Sequence, residues 1–350
     1  MAGADQFTGR GGQNSSTGGN WANDTALFLK QFSGEVLAAF DEFNVMMPLH
    51  TVRTITSGKS AQFPIIGTTT ADYHTAGTDM LTTAGATNSG EYTFGEINHG
   101  EKVIGVDEVL VAPQLIPSID EARSHYDYRS EYTRQMGAAL ARQADRHLIR
   151  TMIRAAHVTG ASAPYTNGGG QVQVITNSQT TADATAAKVV NALFDAAILL
   201  DDKDVPAQDR FCVLNPTMYY NLISNGTTGG FDIAKSVANS DIGGSGFGSG
   251  KVPMIAGFEI YKSNNVQHVN DVKGNPTGRS TLNDYSTLVT DDVLGLVFHK
   301  SAIGTVKLMD LSVESEYLIE RQATFMVAKY AMGHGVLRPE CSVALIRQDD

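Results

Sequence analysis

The apolar positions of this chain change period several times, and each change marks an element. Residues 1–20 hold six glycines among Ser and Asn, with no apolar stripe. Such a stretch buries too little surface to offset its ordering entropy and reads as a flexible arm. Asn23 and Asp24 then offer an N-cap to a helix carrying Leu27, Phe28, Phe32, Val36, Leu37, Phe40 and Phe43 at three-to-four spacing, with Gly34 weakening its middle. From Thr51 to Gly100 the pattern turns to Thr-rich alternation at both ends with Gly, Ala and Asn between; twelve of these residues are Thr and six are charged. Two long strands joined by a loose tip fit this best, the return strand running through 92–94 into 103–111. Arms of about 15 residues would reach roughly 50 Å. A two-stranded ribbon of that length is unstable alone in water and needs another surface to lie on.

A helical period follows. Ser118 and Glu121 have the capping-box spacing, Asp120 and Glu121 suit a helix N-terminus, and no Pro occurs before His157. Ala122, Tyr126, Tyr132, Met136, Ala139, Leu140, Ala144, Leu148, Met152 and Ala155 keep the period, predicting a helix over 119–157 about 58 Å long. The stripe is no strict heptad, which favours a molecular spine over a coiled coil. Residues 158–180 read as a connection with a short strand at 172–175. An α/β stretch comes next: a helix at 186–200, a strand at 210–214, and a helix capped by Asn215 and Pro216. The run 243–250 reads as a mobile loop, with strands at 258–262 and 293–299. The last fifty residues read as mostly strand, at 306–309, 311–314, 325–330 and 342–347.

Composition narrows the class. Of 350 residues 42% are hydrophobic, enough for a sizeable core and, by length, about two domains. Only 18% are charged, below the ~25% of ordinary soluble domains, which fits a surface largely covered by other subunits. The net charge of −11 argues against a protein whose main task is gripping phosphates. Cys212 and Cys341 are too few and too far apart for a disulfide framework. No apolar leader and no run of about 20 apolar residues occurs, so the chain reads as soluble and intracellular.

Chemical motifs are weak. Gly58-Lys59-Ser60 resembles the end of a phosphate loop, but Arg53 stands where that loop needs Gly. Gly250-Lys251 fails at Ser245 and Val252, and the glycines around 244–249 miss the dinucleotide spacing. Nine scattered His show no metal-ligand spacing. Gly333-His334-Gly335 reads as a turn whose glycines supply positive φ, rather than as a presented catalytic imidazole. Cys212, inside an apolar strand, reads as structural. No catalytic, cofactor or metal site is expected. One charge pattern stands out: Arg142, Arg146, Arg150 and Arg154 recur every fourth residue, a mildly self-repelling stripe. It is either a solvated face compensating the helix dipole or a surface meeting carboxylates or phosphates.

Five segments together resemble a known family: ALFLKQFSGEVLAAF (26–40), SGKSAQFP (57–64), HYDYRSEYTRQMGAALA (125–141), IGTVKLMDL (303–311) and AKYAMGHGVLRPE (328–340). They look like the major capsid proteins of short-tailed, T-seven-like bacteriophages. The resemblance is weak over 158–300 and absent over 1–20. It implies the α+β Hong Kong 97-type capsid fold: arm, extended hairpin loop, peripheral domain with a spine helix, and axial domain. It also implies hexamers and pentamers in an icosahedral shell around double-stranded DNA, with a scaffolding protein during assembly, a portal or connector, a decoration protein in some relatives, and no membrane. The matching division is 1–49 arm, 50–104 extended loop, 105–178 and 301–350 peripheral, 179–300 axial. The candidate subunit contacts are Lys59, Phe63, Tyr73, Arg142, Arg146, Arg150, Arg154 and Arg338. Relatives that cross-link subunits use a Lys; Lys59 lies at the ribbon's base, so no cross-link is assigned to it. Other readings are a nanocompartment shell of the same fold holding enzyme cargo, a soluble α/β enzyme, and a DNA-binding module.

Overall fold

The computed structural model describes Ala39, Tyr285 and residues 44–66, 99–123, 129–158, 169–176, 186–224, 254–266 and 292–347. The expected arm, most of the first helix, the ribbon tip with Tyr73, and the 243–250 loop lie outside these residues. The strands in chain order are β1 (Thr51–Thr54), β2 (Ser60–Ile66), β3 (His99–Gly105), β4 (Leu110–Pro117), β5 (Gln171–Thr176), β6 (Arg210–Leu214), β7 (Glu259–Lys262), β8 (Asp292–His299), β9 (Ile303–Leu318), β10 (Ala323–Val336) and β11 (Ser342–Arg347). The helices are α1 (Ser118–Arg123), α2 (Arg129–Ala156), α3 (Ala186–Asp201) and α4 (Pro216–Ser224).

The strands form three sheets: β1-β9-β10-β4, β5-β11-β8-β6-β7, and the two-stranded β2-β3. Helix α2 is a spine in the sense that one apolar stripe serves two cores. Met136, Leu140, Ala141 and Ala144 pack with Ile116, Val313, Met326, Ala328 and Tyr330 of the four-stranded sheet. One to two turns later Leu148, Ile149, Met152 and Ile153 join the core of the five-stranded sheet, with Val213, Leu296 and Leu345. A helix apolar over this whole length fixes the two sheets relative to one another by burial alone. The described parts, α1 and α2, both lie along the predicted helix, α1 starting one residue earlier at Ser118.

The middle follows expectation closely. Strand β6 has the predicted bounds, and the Asn215 side-chain oxygen caps α4 by accepting the Thr217 N–H at 3.0 Å. Cys212 is fully buried, and burial pushes its thiol up. Strands β5 and β11 both pair with each other, and β11 with β8, so this sheet draws on segments that the sequence division assigned to the peripheral domain.

Three expectations need correction. The return strand does not run on to 111: β3 ends at Gly105, residues 106–109 break it, and β4 pairs with β10 rather than with the ribbon, as β1 pairs with β9. The segments 306–309 and 311–314 are one strand, β9; the register against β10 shifts between Lys329 and Met332, and such bulges interrupt the alternation without ending the strand. Gly333-His334-Gly335 is likewise no turn. It lies inside β10, opposite Val306, Thr305 and Gly304. Its glycines serve close approach, since a Cβ on Gly333 would sit 1.9 Å from the Gly105 carbonyl oxygen and one on Gly335 2.8 Å from the Ile104 side chain.

Candidate assembly surfaces

The ribbon's root is the first surface. Strands β2 and β3 pair antiparallel from Ser60↔Gly105 to Ile66↔His99. The alternation puts Ala61 and Ile104 inward, with Val106, against Val306, Ala331 and Leu337, and Phe63 packs at the edge of that cluster. The root is therefore part of the subunit's own core, while Ile66 and Val103 on the other face are 55% and 47% exposed. The Arg53 guanidinium lies over the Phe63 ring at 5.8 Å and donates to the Gln62 carbonyl at 2.6 Å. Lys59 extends from the tight entry turn, where Gly58 takes φ +112°; its side chain is exposed and its carbonyl accepts the Val106 N–H at 2.8 Å.

The arginine stripe is the second surface. Arg142, Arg146 and Arg154 are exposed and Arg150 half-buried, all on the side of α2 away from the sheets. Arg142 Nε donates to its own helix at the Ala138 carbonyl, 3.1 Å away. Burial first, and neighbouring Arg146 second, lower the Arg150 pKa. Between 132 and 156 the helix has one acidic residue, Asp145, and it is buried on the opposite side. The exposed charge along this face is therefore all positive on a subunit of charge −11. Arg338 stands apart, half-buried after β10, with Nε 3.9 Å from Glu340. The structure thus groups Lys59 with Phe63 and the four arginines with one another, and joins neither group to Arg338.

Sequence reasoning missed a third feature, a polar junction where the root, α2 and β10 meet. Asp145 accepts the backbone N–H groups of Val45 and Met46 at 3.0 and 3.1 Å, pinning the chain that enters β1. Burial pushes its carboxyl up to about 6, against the pull of those bonds. His50 Nδ1 lies 2.9 Å from the Met46 carbonyl, which only accepts, so this nitrogen carries the proton. Its Nε2, 2.6 Å from Thr305 Oγ1, then accepts the hydroxyl proton, and Thr305 in turn accepts from His334 Nδ1 at 2.8 Å. Neutral imidazoles are what this chain requires, and burial lowers His50 and His147 to about 4 and His334 well below its ordinary value. The one local signal for the junction was a His between two glycines.

Asp145 yields a direct expectation. Asp145→Ala orphans the buried Met46 N–H, at about 1–3 kcal/mol, and the part-buried Val45 N–H, at less. Urea denaturation of the subunit should show a loss of that order, whereas an exposed-face change such as Gln135→Ala on the same helix should stay within about 0.5 kcal/mol. Equal midpoints for the two variants would rule out Asp145 as the pin.

Among the described residues no group of His, Cys, Asp and Glu is placed to hold a metal ion, and no helix is long and apolar enough to cross a membrane. Residues 62–346 match the Gp10A-like family of major capsid proteins. The chain is 34% identical to the major capsid protein of Escherichia phage T7 over 337 residues, 92% of each chain. It is equally identical to that of Enterobacteria phage T3 over 352 residues, covering 96% of this chain and 95% of the relative. Among solved structures, the capsid of cyanophage P-SCSP1u superposes with a TM-score of 0.69 at 39% identity, covering 88% of this chain and 89% of that one. The chain belongs to the Gp10A-like family of major capsid proteins, structural subunits of the phage virion, and has the α+β Hong Kong 97-type fold.

Proposed function

We propose that this subunit forms hexamers and pentamers of an icosahedral shell enclosing double-stranded DNA, assembled in the host cytoplasm around a scaffolding protein and a portal, with Lys59, Phe63, Tyr73, Arg142, Arg146, Arg150, Arg154 and Arg338 as its contact residues. The observation that carries this reading is the ribbon root: its inner face is packed on its own subunit, and its outer face leaves Pro64, Ile66 and Val103 exposed, an apolar surface for a second subunit to cover. A contact in which each subunit donates one ribbon and receives another is heterologous, and so propagates into rings and lattices. Electron microscopy after co-expression with a scaffolding protein tests it. Closed shells are expected, and discrete dimers or tetramers at every concentration would overturn the reading.

The arginine stripe supplies a second test. Arg146→Ala, at an exposed position of the stripe, should leave the folded subunit within about 0.5 kcal/mol of the parent. Shell stability should fall. Losing one partner of a buried ion pair costs about 3–5 kcal/mol, against 1 or less for an exposed pair. A lower melting temperature in empty shells places carboxylates of a neighbour opposite the stripe; an effect confined to filled shells places phosphates there. Identical behaviour in both would make the stripe a plain solvated face.

A further inference from the structure

Helix α3 is apolar on nearly every side: of its 16 residues only Lys188, Asn191, Asp195 and Asp201 are polar. Val189, Val190, Leu193, Ala196 and Leu200 enter the core of the five-stranded sheet. The opposite face does not, for Phe194 is 45% exposed and Ile198, one turn on, 57%. A helix apolar all round is ordinarily covered all round, so this outer face has the character of a contact surface. Carboxylates flank the pair. Asp195 is exposed beside Phe194 and accepts from Gln173 Nε2 at 3.1 Å. Asp202 is exposed just past the last turn, and its N–H, donating to the Ile198 carbonyl at 2.9 Å, keeps it in helical register. At about 100° per residue Phe194, Ile198, Asp202 and Asp195 fall within one arc of about 100°. The exposed cation of this face, Lys188, stands two turns before Asp195.

We propose that this acid-flanked apolar face of α3 docks on the arginine face of α2 in a second copy of the chain, with Phe194 and Ile198 covering the arginine stems and Asp195 and Asp202 receiving the Arg142 and Arg146 guanidinium groups. The proposal rests on the shell reading above and names what meets the stripe. Arginine suits such a face twice over. Its aliphatic stem lies along apolar surface while its head stays with a carboxylate, and a guanidinium over the Phe194 ring gains a cation–π contact. Along the helices Arg142 and Arg146 are about 6 Å apart and Asp195 and Asp202 about 10 Å, a difference that long arginine side chains span. Like faces repel: two α3 faces would oppose carboxylates, and two α2 faces guanidinium groups. The contact therefore joins different faces of two copies. It is heterologous, and it propagates around a ring instead of closing a dimer.

Charge exchange tests the pairing. Three variants are co-expressed with a scaffolding protein: Arg142→Asp with Arg146→Asp, Asp195→Arg with Asp202→Arg, and all four changes together. All four positions are exposed, so circular dichroism of each free subunit should match the parent's. Each double reversal sets like charges against one another, and the yield of sedimenting shells should fall about tenfold or more. The fourfold variant restores opposite charges and should recover most of the parent's yield. A fourfold variant no better than the doubles would overturn the pairing, as would doubles that assemble like the parent.

A second measurement does not depend on closed shells. Cys212 and Cys341 are buried, so a short bis-maleimide acts on introduced thiols. A mixture of Arg146→Cys and Ile198→Cys subunits should give a cross-linked dimer in whatever oligomers it forms, well above the level in either variant alone. A mixture with no more dimer than the separate variants would overturn the pairing. A parent that never closes shells would count against the shell reading instead, while the cross-link still decides whether α3 meets α2.

Discussion

Gly333→Ala should give a folded subunit that no longer builds regular shells. The new Cβ would lie 1.9 Å from the Gly105 carbonyl oxygen and 2.9 Å from its carbonyl carbon, both backbone atoms with no rotamer to escape into. Strand β3 must lift off β10, and β2 follows because it is paired to β3 along its whole length. Overpacking of this kind costs about 1–3 kcal/mol, which a chain with two other large clusters survives. The larger consequence is geometric, because tilting the paired strands β2 and β3 changes the direction in which residues 67–98 leave the subunit. Gly335→Ala is the control. The nearest atoms to its Cβ would be side-chain atoms of Ile104, at 2.8 Å, rather than backbone at 1.9 Å, so a smaller shift of β3 suffices and shells should persist with lower stability. Calorimetry of subunits and microscopy of assemblies check both. Normal shells from Gly333→Ala would show that the root's angle does not govern assembly.

Legibility in the sequence followed the reach of the interactions. Strand β6, helix α3 and the Asn215 cap depend on residues within a turn or a pleat of one another, and a period or cap rule identifies them. The spine was legible for the same reason, its apolar stripe being continuous through both cores. The junction was not, because Thr305 lies 255 positions from His50. No spacing rule spans such a distance. The glycines at 333 and 335 were visible, but two causes favour glycine, positive φ and close approach, and only the packed root distinguishes them. The arginine stripe was legible as a four-residue period along α2, but a period does not say what meets it.

Removing the ribbon's tip should separate folding from assembly more sharply than any point change. Deleting residues 71–89 and closing the gap with a two-residue turn leaves Ser60–Ile66 and His99–Gly105 paired, and with them the cluster of Ala61, Ile104, Val106, Val306, Ala331 and Leu337. The clusters around α2 are built from described residues outside the deletion, so circular dichroism should report a melting temperature close to the parent's. A two-stranded hairpin of long arms has too little core of its own, so on the shell reading proposed above each tip is supported by the next subunit. With the tip gone each subunit still offers its receiving surface, but donates nothing to the next one. Light scattering should then find monomers or small oligomers under conditions where the parent forms shells. Outright misfolding would show that the tip belongs to the subunit's own core. Shells of normal size would place the lattice contact elsewhere, with the arginine face of α2 the next surface to remove.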